Sequence, residues 1–165
     1  MKNEIKKIGK NVIDLQIRAL EKLKYSLNES FEKTVKAIIR CKSKIIICGV
    51  GKSGIIASKI SATLSSVGTP SFSISASDCS HGDLGKITKS DILILISNSG
   101  NTSELNNIIE YSKKNKILLI GIVSNKNSIL YKSSNIKLLI PEVTESGYGI
   151  VPTSSTTMQL SIGDA

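Results

Sequence analysis

With 165 residues, 40% of them hydrophobic, the chain is sized for one domain around one core. Its net charge of +9 is nearly all lysine, gathers in the first 44 residues and accompanies abundant Asn and Ile; with 4% aromatic residues and no Trp to stack bases, no nucleic-acid partner is expected. No apolar run approaches the roughly 20 residues a membrane helix needs, and the start MKNEIKKIGK lacks a signal peptide's apolar stretch, so the chain reads as soluble and cytoplasmic with no membrane partner.

In chain order, Ile5, Ile8, Val12, Leu15, Ala19, Leu20, Leu23 and Leu27 recur at threes and fours between lysines, the pattern of an amphipathic helix. Asn28 or Ser30 can cap a second helix, whose apolar stripe is Phe31, Val35, Ile38 and Ile39. Both helices are expected to be scaffold or subunit contact. After Lys44 the period changes, and Ile45 to Cys48 is a continuous apolar run, the mark of a buried strand, ending in the turn Gly49-Val50-Gly51-Lys52-Ser53-Gly54. A helical stretch follows through Ile55, Ile56, Ile60 and Leu64, then Gly68-Thr69-Pro70. Strand-like runs appear at Ser71 to Ser75, Asp91 to Ile96, Lys116 to Val123 and Ile136 to Ile140, with a helical connection from Glu104 to Lys113. The three cysteines, Cys41, Cys48 and Cys79, lack metal-knuckle spacing and read as reduced thiols, two of them buried.

Apolar strands alternating with helices predict an α/β fold: a three-layer αβα sandwich with a doubly wound, mainly parallel five-stranded sheet. The N-terminal helices occupy residues 1–43 and the sheet core residues 44–165, and the final segment from Thr153 looks like a helix cut while still running. Ligands in such sheets sit at the carboxyl ends of the strands near the switch in strand order, so the turns after Cys48, Ile96 and Ile140 are the places to look for chemistry.

The turn Ser97-Asn98-Ser99-Gly100-Asn101-Thr102 runs from a buried strand into a helix, and its amides and hydroxyls suit a phosphate at a helix N-terminus. Alternatively, the hydroxyls only cap that helix. Gly49, Gly51 and Gly54 match a dinucleotide fingerprint, but the acidic ribose partner is replaced by Ser73-Ile74-Ser75-Ala76-Ser77; a Walker loop needs glycine where Ile46 stands. Lys52, in a glycine turn, suits a phosphate, an oxyanion or proton transfer better than a plain solvated lysine does. The single histidine, His81, lies in the polar Cys79-Ser80-His81-Gly82-Asp83-Leu84-Gly85, which favours a site over a core role. Thr153 to Thr157 opens another helix with hydroxyls suited to sugar or phosphate oxygens, or to ordinary capping.

Together, Gly49 to Gly54, Gly68-Thr69-Pro70-Ser71-Phe72, His81-Gly82-Asp83-Leu84-Gly85, Ser97 to Gly100 and Pro152-Thr153-Ser154-Ser155-Thr156-Thr157 closely resemble the SIS (sugar isomerase) domain of arabinose-5-phosphate isomerases, from about Lys44 onward. The resemblance implies interconversion of ribulose 5-phosphate and arabinose 5-phosphate, supplying the eight-carbon sugar acid of lipopolysaccharide or a capsule. It further implies a small-molecule sugar phosphate as partner, no organic cofactor and a homotetramer. Carried onto this chain, it puts catalytic roles on Lys52, Glu104 and Glu145. Substrate falls to Gly51, Ser53, Gly68, Thr69, His81, Ser97, Asn98, Ser99, Thr102, Ser154 and Ser155.

That set fits aldose–ketose chemistry, which needs a carboxylate base and a cation near the oxygens; the residues leave open which glutamate takes the carbon proton. Glu104 could also be only a first-turn helix acid, and Glu145 only a loop carboxylate. The family's further histidine in a His-Pro-Gly-Gly segment and its paired regulatory modules lie downstream of Ala165, so weak turnover is expected of the chain as it stands. Members that bind zinc use a histidine where this chain has Ser75, and no metal is expected. The competing readings are an isomerase of another phosphosugar and a sugar-phosphate sensor in a regulator, the latter needing no acid–base set.

Overall fold

The computed structural model describes residues 2–165; Met1, counted in the expected N-terminal helices, lies outside it. The chain opens with α1 (Lys2–Ser26) and α2 (Glu29–Arg40). Between them the Asn28 side chain accepts the Ser30 N–H at 2.8 Å, so Asn28 is the cap. Then follow β1 (Ile45–Gly49), α3 (Lys52–Ser66), β2 (Ser71–Ser75), α4 (Ala76–Cys79), β3 (Ile92–Ile96), α5 (Asn106–Lys114), β4 (Leu118–Val123), α6 (Ile129–Ser133), β5 (Ile136–Leu139) and α7 (Ser154–Asp164).

The strands form one sheet in the order β2-β1-β3-β4-β5, every pair parallel. From β1 the chain steps outward to β2, returns to place β3 on β1's other side, and steps away through β4 and β5. The direction of winding therefore reverses between β1 and β3, where Gly49 is the register partner of Ile96. The glycine turn and the serine turn thus leave adjacent strand ends.

Alternation along the strands builds two cores. Ile45, Ile47, Ile92, Ile94, Ile96, Ile120 and Ile122 meet Ala19 and Leu23 of α1, Ala57 and Ile60 of α3, and Met158 and Ile162 of α7. Ile46, Cys48, Leu93, Leu95, Leu119 and Val123 meet Cys79 of α4, Ile108 and Ile109 of α5, and Leu130 of α6. With both faces covered, the strands carry unbroken apolar runs, each fully buried Ile or Leu contributing about 1.5–3 kcal/mol of transfer free energy. Cys48 and Cys79 are buried free thiols; burial pushes them up to about 12 and about 11.

One expectation is met only in part. The α1 stripe is buried at Ala19 and Leu23, where the helix packs on α7, but its first members Ile5 and Ile8 stay 69% and 59% exposed.

A candidate active site at the β1/β3 strand ends

Two close approaches shape the glycine turn. A Cβ on Gly49 would lie 2.7 Å from the Ser53 carbonyl, and one on Gly54 would lie 2.9 Å from the Gly49 oxygen, so the first turn of α3 packs backbone to backbone on the end of β1. That packing brings Lys52, the first residue of α3, to the rim of the sheet. Lys52 is exposed and forms no ion pair among the described residues. A cation at a helix N-terminus opposes the helix dipole, which leaves this corner suited to an anion.

The serine turn is fixed by its own hydroxyls. Buried Ser97 places its Oγ 2.8 Å from Thr102 Oγ1 and accepts the Gly100 N–H at 3.0 Å, while Ser99 Oγ accepts the Asn101 N–H at 3.3 Å. Gly100 has φ +68°, and a Cβ there would collide with Ser128 Oγ, so this position admits only glycine without rearrangement. The N–H groups of Ser99, Thr102 and Ser103 donate to no group among the described residues. The helix beyond opens with a 3-10 turn, Ser103–Leu105, before α5.

Glu145 is held by α7. Its Oε2 accepts the N–H of Thr153 at 2.7 Å and of Ser154 at 2.8 Å, and its Oε1 accepts the N–H of Ser155 at 3.0 Å. Partial burial works to raise its pKa, but hydrogen bonds from Ser155, Thr153 and Ser154 outweigh it and hold the carboxyl below its ordinary value.

A cleft of about 340 Å³ joins these elements, lined by Lys52 and Ser53 of α3, Asn98 of the serine turn, Glu145, and Ser155 and Gln159 of α7. Gly149 and Ile150 close one side, from a turn in which Gly147, Tyr148 and Gly149 all have positive φ and Ser146 bridges Val151. Of the residues expected at the site, Lys52, Ser53, Asn98, Glu145 and Ser155 share this cleft. Gly51 lines the neighbouring cleft beside β2, and Ser97, Ser99 and Thr102 make the adjoining turn.

Several expected residues lie elsewhere. Gly68 and Thr69 close α3 at the amino edge of the sheet, where the Gly68 N–H donates to Ser65 O at 3.1 Å and the Thr69 N–H to Leu64 O at 2.9 Å, a helix-ending pair. The 15-residue α3 separates them from the cleft by about 20 Å at 1.5 Å per residue. Glu104 is exposed on the 3-10 turn, where Ser103 Oγ donates to it at 2.8 Å and holds its pKa down, and it does not line the cleft. His81 is exposed beyond α4, likewise outside the cleft. Ser154, whose hydroxyl was expected at sugar or phosphate oxygens, is fully buried with no hydrogen-bond partner for that hydroxyl, and the helix-opening amides of Thr153, Ser154 and Ser155 donate to Glu145.

Gln159 belongs to the cleft and escaped the sequence reading. Its signal was its place four residues after Ser155, on the same helix face. Asp91 was also missed: this fully buried carboxylate accepts from Ser43 Oγ at 2.5 Å, the Thr88 N–H at 2.6 Å and Lys44 Nζ at 3.0 Å. Burial works to raise its pKa, but those partners bring it to about 2. It ties the start of β3 to the chain just before β1, away from the cleft. Among the described residues no three His, Cys, Asp or Glu side chains converge on a common point that could hold a metal ion.

Residues 38–165 match the SIS domain family. The chain is 46% identical over 155 residues to the arabinose 5-phosphate isomerase KdsD of Francisella tularensis, covering 92% of this chain and 47% of that protein. To KdsD of Yersinia pestis it is 42% identical over 163 residues, covering 98% of this chain and 50% of that protein. The structure of Escherichia coli CFT073 c3406 in complex with arabinose 5-phosphate superposes with a TM-score of 0.95 at 36% identity, covering 99% of this chain and 88% of that one. The chain spans about half the length of the curated relatives it matches. On the strength of the family match over residues 38–165 and the close superposition, this chain belongs to the SIS domain family.

Proposed function

We propose that the chain is the isomerase domain of an arabinose-5-phosphate isomerase, interconverting ribulose 5-phosphate and arabinose 5-phosphate through an enediol. The observation that carries this reading is the shared cleft of Lys52 and Glu145 beside the serine turn, in a chain 42% and 46% identical to two enzymes of that name. Residues 1–165 act as one SIS domain, with α1 and α2 joining the core through Ala19, Leu23, Phe31 and Ile38. The uncovered apolar stripe at Ile5 and Ile8 supports assembly into a homotetramer. The reaction belongs to the cytoplasm and supplies the eight-carbon sugar acid of lipopolysaccharide or a capsule.

The chemistry follows from the groups present. The free N–H groups of Ser99, Thr102 and Ser103 take the phosphate, which needs donors and no base. A carboxylate takes the proton from the carbon beside the carbonyl and returns it to the neighbouring carbon, while a second proton moves between the two oxygens. Glu145 is the carboxylate that this cleft offers, and its three N–H partners keep it ionised and fixed in orientation. Lys52 places its ammonium by the oxygens, where charge grows as the enediol forms. In D2O, arabinose 5-phosphate with a chain extended beyond Ala165 is expected to gain deuterium at carbon 2 and yield ribulose 5-phosphate by NMR. A chain that binds the sugar without exchange, extended or not, would favour a sensing role instead.

A further inference from the structure

Gln159 is 1% exposed, and a buried primary amide brings two donors and an acceptor out of water. Its Oε1 accepts the Ser53 hydroxyl at 3.1 Å. Its Nε2 donates to no group among the described residues, yet it is not sealed in the core like the Ser154 hydroxyl, because the side chain lines the cleft that Lys52 also lines. Nothing in the packing of α7 requires an amide here: the apolar contacts of the helix are made by Met158 and Ile162. A leucine would fill the volume with no free amide donor, leaving only the Ser53 hydroxyl to find another partner.

Lys52 offers donors only, and the free end of Gln159 does too. Together they make a donor wall, suited to an oxygen that accepts and does not donate. Two groups on a phosphosugar answer that description, the phosphate and the carbonyl or enediolate oxygen. The serine turn already has unpaired N–H groups for the phosphate, which leaves the carbonyl end for the wall.

The geometry points to Gln159 as a substrate-binding residue whose amide N–H, oriented by Ser53 and acting beside Lys52, donates to the sugar oxygen that gains negative charge in the enediolate. This rests on the isomerase reading above. The role adds a donor without adding a base, so it stabilises charge and leaves the proton transfers to other groups.

The test is calorimetric titration of the unsubstituted chain, Gln159→Glu and Gln159→Leu with three probes: arabinose 5-phosphate, inorganic phosphate, and a four-carbon phosphorylated hydroxamate that mimics the enediolate. Gln159→Glu keeps an acceptor for Ser53 and removes the donor, so it stays informative if Gln159→Leu, which strands the Ser53 hydroxyl, fails to fold. The expected result is a hydroxamate affinity lower on the order of a hundredfold or more in each folded variant, the scale of one lost oxyanion donor, with inorganic phosphate bound as before. Ser53→Ala should give a smaller loss for the hydroxamate alone. Unchanged hydroxamate affinity in Gln159→Glu, or an equal loss for inorganic phosphate, overturns the role of Gln159 while leaving the isomerase standing. An unsubstituted chain that ignores arabinose 5-phosphate and binds a different phosphosugar overturns both.

Discussion

The carboxylate of Glu145 accepts the backbone N–H of Thr153 across eight residues of loop, at 2.7 Å, and thereby closes the N-terminus of α7 from outside the helix. Thr153, the residue at the cap position, makes no capping bond with its own side chain. Glu145 therefore serves the fold as well as the cleft. Glu145→Ala is expected to destabilise the chain by about 1–2 kcal/mol, the range of a lost helix cap. Because the folded carboxyl titrates below its unfolded value, this contribution is present above the ordinary glutamate range and fades as pH falls through the folded pKa. Urea melts of the chain and Glu145→Ala at pH 7 and pH 3.5 check it: the difference should shrink at the lower pH.

Asp91 gives a second acid-sensitive term. Its pKa falls from 3.8 to about 2, which corresponds to roughly 2 kcal/mol of stability at neutral pH. That stability is fully present above the unfolded pKa and is lost as pH drops toward 2. Asp91→Asn should lower stability by about 2–3 kcal/mol at pH 7, with the buried partner groups left unmatched, and should flatten the acid limb of the stability profile. Denaturant midpoints between pH 2 and pH 7 read both effects.

Gly100 is the tightest point of the serine turn. Gly100→Ala combines an unfavourable positive φ with a Cβ driven against Ser128 Oγ, and is expected to destabilise by about 2–4 kcal/mol. Adding Ser128→Ala should recover part of that loss by opening the space, while the φ penalty remains. Thermal melts of the single and double variants separate the two contributions.

Much of this architecture is legible in the sequence. Ile45 to Cys48 and Asp91 to Ile96 announce buried parallel strands because both faces of the sheet are covered, which replaces alternation with continuous apolar runs. The turns at Gly49 to Gly54 and Ser97 to Thr102 could be placed at carboxyl ends of strands because each directly follows such a run, while the adjacency of those strands came only with the strand order. What escaped depends on distant partners. The bond from Glu145 to the α7 amides is set by the path of an irregular loop, which carries no periodicity. Gly68 and Thr69 sit at the amino edge because the length of α3 fixes that, so their motif neighbours in sequence are not their neighbours in space. Gln159 was hidden inside an otherwise ordinary helix.

Lys52 is exposed and unpaired with any carboxylate among the described residues, so Lys52→Ala should leave the melting temperature within a few degrees. Isomerisation by a chain extended beyond Ala165 should fall by about a hundredfold or more, as removal of a charge-stabilising group from an active site does. Retained turnover would remove Lys52 from the chemistry.

The most direct measurement is calorimetric titration of this chain with arabinose 5-phosphate and, in parallel, with glucosamine 6-phosphate. The proposed function predicts that the cleft holding Lys52 and Glu145 beside the serine turn binds the pentose phosphate, that Lys52→Ala weakens this binding, and that the amino sugar gives little heat. Preference for glucosamine 6-phosphate, or pentose-phosphate binding indifferent to Lys52→Ala, would contradict it.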